Sequence, residues 1–175
     1  MPVSQDIVKL LLLGPLSAVV IYYDVRYRRI PNVVVLVTLV AGLIINISFA
    51  GLSGSLSSLE GFGLAFIPMF LMHLFGALGA GDVKLSGAVG AVLGVSMVPL
   101  TLIVIVMLGA ALAVYTMLRA GTVFSTLHGV LRIFVGILPG WEMPRFSMPA
   151  DRRHTIPYGV AIMLGSLIST FFMRA

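Results

Sequence analysis

An all-α membrane protein with about six transmembrane helices is the fold class this sequence predicts, and three observations carry it. Of 175 residues, 59% are hydrophobic and only 10% are charged, a balance that soluble domains do not have. Apolar runs near the roughly 20 residues needed to cross a bilayer recur at about 7–23, 33–50, 59–77, 83–98, 99–118 and 155–173. The segments between these runs are too short for a second folded unit. Residues 1–175 therefore read as a single polytopic membrane domain.

The first run lacks a basic start and a small-residue cleavage site before Tyr22-Tyr23-Asp24, so it reads as a span and not as a signal peptide. The connection Val25-Arg26-Tyr27-Arg28-Arg29-Ile30-Pro31-Asn32 follows. Pro31 ends helical continuation and pushes Ile30 toward an extended conformation, and Asn32 can cap a helix beginning at Val33. Residues 51–58, rich in glycine and serine, read as a plain flexible linker. In the fourth run Gly87, Gly90 and Gly94 recur at three- and four-residue intervals, a spacing that lets helices pack closely in lipid.

Beyond the fifth run, Val123, Leu127, Val130, Phe134 and Leu138 recur at helical spacing, with polar residues on the other faces. Residues 121–138 therefore read as an amphipathic helix lying in the membrane interface. A seventh span there would scatter the basic residues across both faces. The proline-containing stretch 139–157 reads as a connector to the last helix.

The net charge of +5 reports orientation and not a nucleic-acid partner. All of the 11 basic residues except Lys9 and Arg174 fall in loops that a six-span topology places on one side. By the positive-inside bias that side is cytoplasmic, and both ends of the chain are then external. There is no cysteine, which excludes disulfides, thiolate catalysis and cysteine zinc sites. His73, His128 and His154 lie on separate segments without metal-ligand spacing, so neither a metal nor a cofactor is expected.

Two carboxylates stand out. Asp82 sits in Gly79-Ala80-Gly81-Asp82-Val83-Lys84-Leu85, a glycine-rich turn between apolar helices, and Asp24 closes the first span. Ionisable groups at membrane depth are costly and mark function. The topology puts both aspartates on one side at comparable depth, as proteolysis by a carboxyl pair requires. One carboxylate takes a proton from water while the other protonates the scissile carbonyl. The helix dipole favours Asp82 as the ionised base, leaving Asp24 to hold the proton. Gly79 and Gly81 suit a turn that approaches an extended substrate and adopts positive φ. Lys84, two residues beyond Asp82, is either an interfacial anchor or an electrostatic support for it.

At these residues the sequence resembles the type IV prepilin peptidase family of membrane aspartic proteases. The stretch Gly79–Leu85 matches its Gly-x-Gly-Asp-x-Lys-Leu signature. The segment Asp24–Asn32, with Pro31 and Asn32, is similar to that holding its first catalytic aspartate. Ile156-Pro157-Tyr158-Gly159 resembles the Pro-aromatic-Gly element that opens its last helix. The resemblance implies that Asp24 and Asp82 are catalytic and that Gly79, Gly81, Lys84, Pro31, Asn32, Pro157 and Gly159 support them. It implies a prepilin or prepilin-like substrate, cut at the cytoplasmic face after a short leader that precedes a hydrophobic helix. The cysteine-bearing amino-terminal region of the bifunctional members is missing, so the chain looks like the short peptidase-only form found with Flp-type tight-adherence pili.

Two other classes compete. A small proton-coupled transporter would place its carboxylates near the midplane in related halves, and no repeat is visible here. A noncatalytic pilus or secretion assembly factor would leave a precursor uncut.

Overall fold

The computed structural model describes residues 4–121 and 157–173, and every described element is helical. Five helices follow in order: α1 (Gln5–Tyr27), α2 (Asn32–Leu74), α3 (Ala80–Leu93), α4 (Val98–Ala120) and α5 (Tyr158–Met173). Three of them, α1, α2 and α4, are long and apolar enough to cross a membrane. The expected interfacial helix at 121–138 and connector at 139–157 fall, but for their edge residues Gly121 and Pro157, outside the described residues.

Five helices stand where six spans were expected, because α2 covers two of the predicted runs. Its 43 residues would measure about 65 Å if straight, twice the apolar thickness of a bilayer. The helix breaks at Gly51, whose φ of 58° and ψ of −133° only glycine adopts readily. Beyond the break the chain doubles back. Gly54 lies so near the Asn46 carbonyl that no Cβ would fit between them, whereas eight residues along a straight helix would separate the two by about 12 Å. The expected flexible linker at 51–58 is thus helical around a one-residue hinge.

The fourth expected span is also shorter than predicted. Hydrophobicity runs unbroken from Val83 to Val98, but α3 stops at Leu93, where Gly94 takes a φ of 80°. A brief turn follows, and Pro99 sits in the first turn of α4, the helix position that tolerates a missing N–H. At 14 residues α3 is only about 21 Å long. It is the centre of the fold: Val83 and every residue from Leu85 to Leu93 are buried. Small residues make that possible. Gly90 meets Gly61 of α2 backbone to backbone, and Gly87 lies under the rings of Phe62 and Phe66.

The carboxyl end of α3 cannot leave its last carbonyls bare in apolar surroundings, where an unmet polar group costs several kcal/mol. Three side chains meet them. Asn46 Nδ2 donates to the carbonyls of Ala91 (2.7 Å) and Val92 (3.2 Å), and Ser58 Oγ donates to Ala91 (2.7 Å). Lys9 Nζ, on α1, donates to Leu93 (2.9 Å). Gln5 holds Asn46 in turn, Nε2 to Oδ1 at 2.7 Å. Lys9 is only 5% exposed, so its ammonium is committed to this end of α3 and is not an interfacial anchor.

Because Lys9 meets the end of α3, α1 runs antiparallel to it and carries Asp24 back toward the start of α3. The remaining packing is apolar: Leu13 and Val20 of α1, Ile105 of α4, and Ile162 and Met163 of α5 join the α3 residues in one core.

Asn46→Leu should therefore lower stability by about 1–3 kcal/mol, the cost of stranding buried acceptors. Ser48→Ala, which removes only an exposed bond to the carbonyl of Ile44, should change it by less than about 0.5 kcal/mol. Unfolding of the two detergent-solubilised variants checks the difference.

Candidate active site

Both aspartates lie at the end of the bundle opposite Lys9. Asp24 is in the last turn of α1 and is 6% exposed. The helix does not stop there but continues to Tyr27, and Arg28 closes it in the left-handed region at a φ of 51°. That conformation costs a non-glycine residue roughly 1 kcal/mol. It lets the Arg28 N–H donate to the Asp24 carbonyl (3.0 Å) and reverses the chain within a few residues. Ile30 is thereby turned inward, where it packs between Gly81 of α3 and Gly159 of α5.

Asp82 is the third residue of α3. Its Oδ2 accepts from the Gly79 N–H across the first turn at 3.3 Å, so it bonds back to the start of the helix instead of standing at the cap itself. Burial is the largest influence on its acidity, and the charge of Asp24 is the second. Together they outweigh the Gly79 N–H and push Asp82 up to about 7. Helix-dipole reasoning favours an ionised Asp82. Desolvation opposes that effect, and a first-turn dipole is worth only about 1 kcal/mol.

Asp24 meets a different set of groups. Its carboxyl faces the amino-terminal turn of α5, close to the amides of Gly159 and Val160, and the Arg28 charge acts on it. A Cβ on Gly159 would stand 2.8 Å from Asp24 Oδ2 and 3.2 Å from Ile30 Cδ1. Despite these neighbours, Asp24 Oδ2 and Arg28 Nη1 are buried without a hydrogen-bond partner among the described residues. Buried polar groups left unpaired are rare and call for an explanation.

The other residues singled out in the sequence divide clearly. Gly79 has an ordinary φ of −74°, so it is not there for positive φ. A Cβ on it would lie 2.9 Å from Asp82 Oδ2, so a larger residue would displace that carboxyl. The positive φ of this turn belongs to Gly76, at 78°. At Gly81 a Cβ would meet Ile30 at an ordinary 3.6 Å. Lys84 is exposed between buried Val83 and Leu85 and points away from the core. Pro31 occupies the cap position of α2, and Asn32, expected as that cap, is its exposed first residue. Pro157 precedes α5 and is half-buried.

Sequence reasoning missed His73 as part of this region, and gave Ile30 and Tyr158, which lie within the quoted segments, no role of their own. His73 Nδ1 lies 2.8 Å from the Leu78 carbonyl and ties the turn that leads into Gly79 to the end of α2. Tyr158 opens α5 with its ring against Gly109 of α4. A polar aromatic beside a glycine at the mouth of an apolar helix is the signal that could have found it. Among the described residues no three His, Asp, Glu or Cys side chains gather as metal ligands.

Two carboxyl groups, Asp24 buried and Asp82 half-buried, brought from separate helices to one end of an apolar bundle, are now joined by an independent observation. A model of the type IV leader peptidase family matches residues 11–114, a stretch that contains both aspartates and ends before α5. The chain belongs to that family. No curated relative and no solved structure matches it. Membership in a leader peptidase family, together with three helices long and apolar enough to span, makes this a membrane protein of a protease family.

The glycine geometry yields a graded expectation. Gly159→Ala and Gly79→Ala each place a methyl group against a carboxyl oxygen and should lower peptidase activity at least about 10-fold, as small displacements of reacting groups do. Gly81→Ala should stay within about 2-fold, its methyl group making only ordinary contact with Ile30. Initial cleavage rates, with helical circular dichroism as the control for folding, check the order.

Proposed function

We propose that this leader peptidase is an aspartic endopeptidase in which Asp24 and Asp82 activate water between them. The observation that carries the reading is the convergence of these two carboxyls, close enough for the charge of one to act on the other, at a single end of the bundle. Like charges in a desolvated site do not both ionise, so the pair holds one proton near neutral pH. Asp82, half-buried and facing Asp24, carries that proton. Asp24, beside Arg28 and the positive end of α5, carries the charge and takes a proton from the attacking water. Asp82 protonates the carbonyl oxygen as the tetrahedral intermediate forms. Collapse of that intermediate breaks the C–N bond: Asp24 passes the proton it took from water to the departing amine, and a hydroxyl of the diol returns one to Asp82.

The substrate on this reading is a prepilin or prepilin-like precursor, cleaved between its short leader and its hydrophobic helix. The position of the pair supports that substrate. Carboxyls at one end of the bundle meet a bond that lies just outside a membrane-inserted helix, and water reaches them there more readily than at the midplane. The charge bias supports a reading in which that end faces the cytoplasm.

Purified protein incubated with a prepilin should shorten it, and Asp24→Asn or Asp82→Asn should each reduce the rate by more than about 10³-fold while leaving the protein inserted and helical. Appreciable turnover by either variant sinks the two-carboxyl mechanism. Since the active pair holds one proton, the rate should fall as pH rises through about 7, where the shared proton is lost. A rate still climbing above pH 8 contradicts that assignment.

Sidedness has its own check, made clean by the absence of native cysteine. In intact cells an impermeant thiol reagent should label Ser53→Cys, near the α2 hinge, and spare Arg29→Cys beside the carboxyl pair. The opposite pattern would put the site on the external face.

A further inference from the structure

Tyr158 has no part in the mechanism above, yet its surroundings are built to hold it. A Cβ on Gly109 of α4 would lie 2.5 Å from Tyr158 Cε2 and 2.8 Å from its hydroxyl oxygen, so only glycine at 109 lets the ring lie flat on α4 out to its polar tip. The ring packs against the apolar core while the hydroxyl remains within range of the Asp82 charge. The next residue, Gly159, covers the Asp24 carboxyl. One dipeptide at the start of α5 thus addresses both members of the pair. Asp82, for its part, has a single hydrogen bond among the described residues, the 3.3 Å contact to the Gly79 N–H. Between Asp82 and Tyr158 there is no direct bond, and catalytic hydrogen bonds are often long in the free enzyme and tighten only with substrate in place.

We propose that Tyr158 is a positioning residue for the cleavage reaction, its hydroxyl held over Gly109 so as to donate the second hydrogen bond to Asp82 in the substrate complex. This rests on the aspartic mechanism proposed above. A phenol donor would fix the carboxyl against the attacked carbonyl and favour its ionised form after the proton has been delivered. The charged and titratable described groups around this point are few. Asp24, with Arg28 behind it, faces Asp82 from α1, and Tyr158 faces it from α5. Lys84 on α3 itself is exposed, while α2 brings His73 to this end through the Leu78 carbonyl and α4 carries Arg119 in its last turn.

The test is a pair of substitutions read by pH profile. Tyr158→Phe keeps the ring and its packing and removes only the donor. It should lower kcat about 10-fold with KM within 2-fold, and move the basic limb of the kcat profile upward by about half a pH unit or more, since losing a donor to the ionised carboxylate favours the protonated form. Gly109→Ala, which displaces the ring, should produce the same shift in the otherwise native chain and no additional shift when combined with Tyr158→Phe. An unchanged basic limb and rate in Tyr158→Phe overturns the proposal, whatever Gly109→Ala does. Asp82→Asn in the same assay separates the two levels: if it still cleaves, the aspartic mechanism and this inference fall together; if it is inactive and Tyr158→Phe is native-like, only this inference falls.

Discussion

A helix sunk on all sides in apolar surroundings has to satisfy the free backbone groups at both of its ends from within the protein, and α3 is such a helix. It is short, and almost every residue beyond its first turn is buried. Water cannot finish its hydrogen bonding, so the neighbouring helices do. That demand explains features that otherwise look unrelated. A lysine is buried in α1, an asparagine and a serine sit inside the apolar α2, and α2 folds back at Gly51 so that both of its arms reach the same carbonyls.

The two ends of α3 are treated differently, and the difference locates the chemistry. At the carboxyl end the carbonyls of Ala91, Val92 and Leu93 all have donors, and the donors are themselves held, as Gln5 holds Asn46. At the amino end, among the described residues, Asp82 has one long bond, and Asp24 Oδ2 and Arg28 Nη1 have none. A closed polar network rigidifies, whereas an open one stores affinity for whatever arrives to complete it. One end of the helix is therefore anchored so that the other can be kept incomplete without the fold giving way.

Much of this was legible in the sequence, and what was missed shares one cause. Composition and run length gave helices in a membrane. The turn around Asp82 and the end of the first span gave the pair of aspartates, now found at the same end of the bundle. Hydropathy does not register conformation, however. Gly51 and Gly94 break apolar runs that are uniformly hydrophobic around them, so one predicted linker became a hinge and one predicted span became a short central helix. Gly79 and Gly81 look equivalent on paper, but only the three-dimensional closeness of Asp82 Oδ2 to Gly79 distinguishes them. Burial also works against the dipole argument at Asp82. Position within a helix can be read from a sequence, while depth of burial cannot. Ile30, Tyr158 and the contact of Gly159 with Asp24 depend on segments far apart in the chain, which a single sequence does not bring together.

The incomplete end also bears on how a carboxyl pair could work beside a membrane. Water has to be admitted for hydrolysis but excluded from the rest of the site, because bulk solvent would weaken the interaction between the two carboxyls. Glycine at 79 and 159 brings backbone directly against both carboxyl groups, leaving little volume around them, while Ile30 fills the gap between α3 and α5. The segment that closes α1 and carries Ile30 turns at a strained residue, Arg28. On the proposed mechanism an extended precursor segment would enter beside Arg28 Nη1 and Asp24 Oδ2, which have no partner among the described residues. It would supply a carbonyl to the first and a water held near its scissile bond to the second. Binding would then complete the hydrogen bonding that folding left unfinished, which ties affinity for the substrate to the same two groups that its cleavage requires.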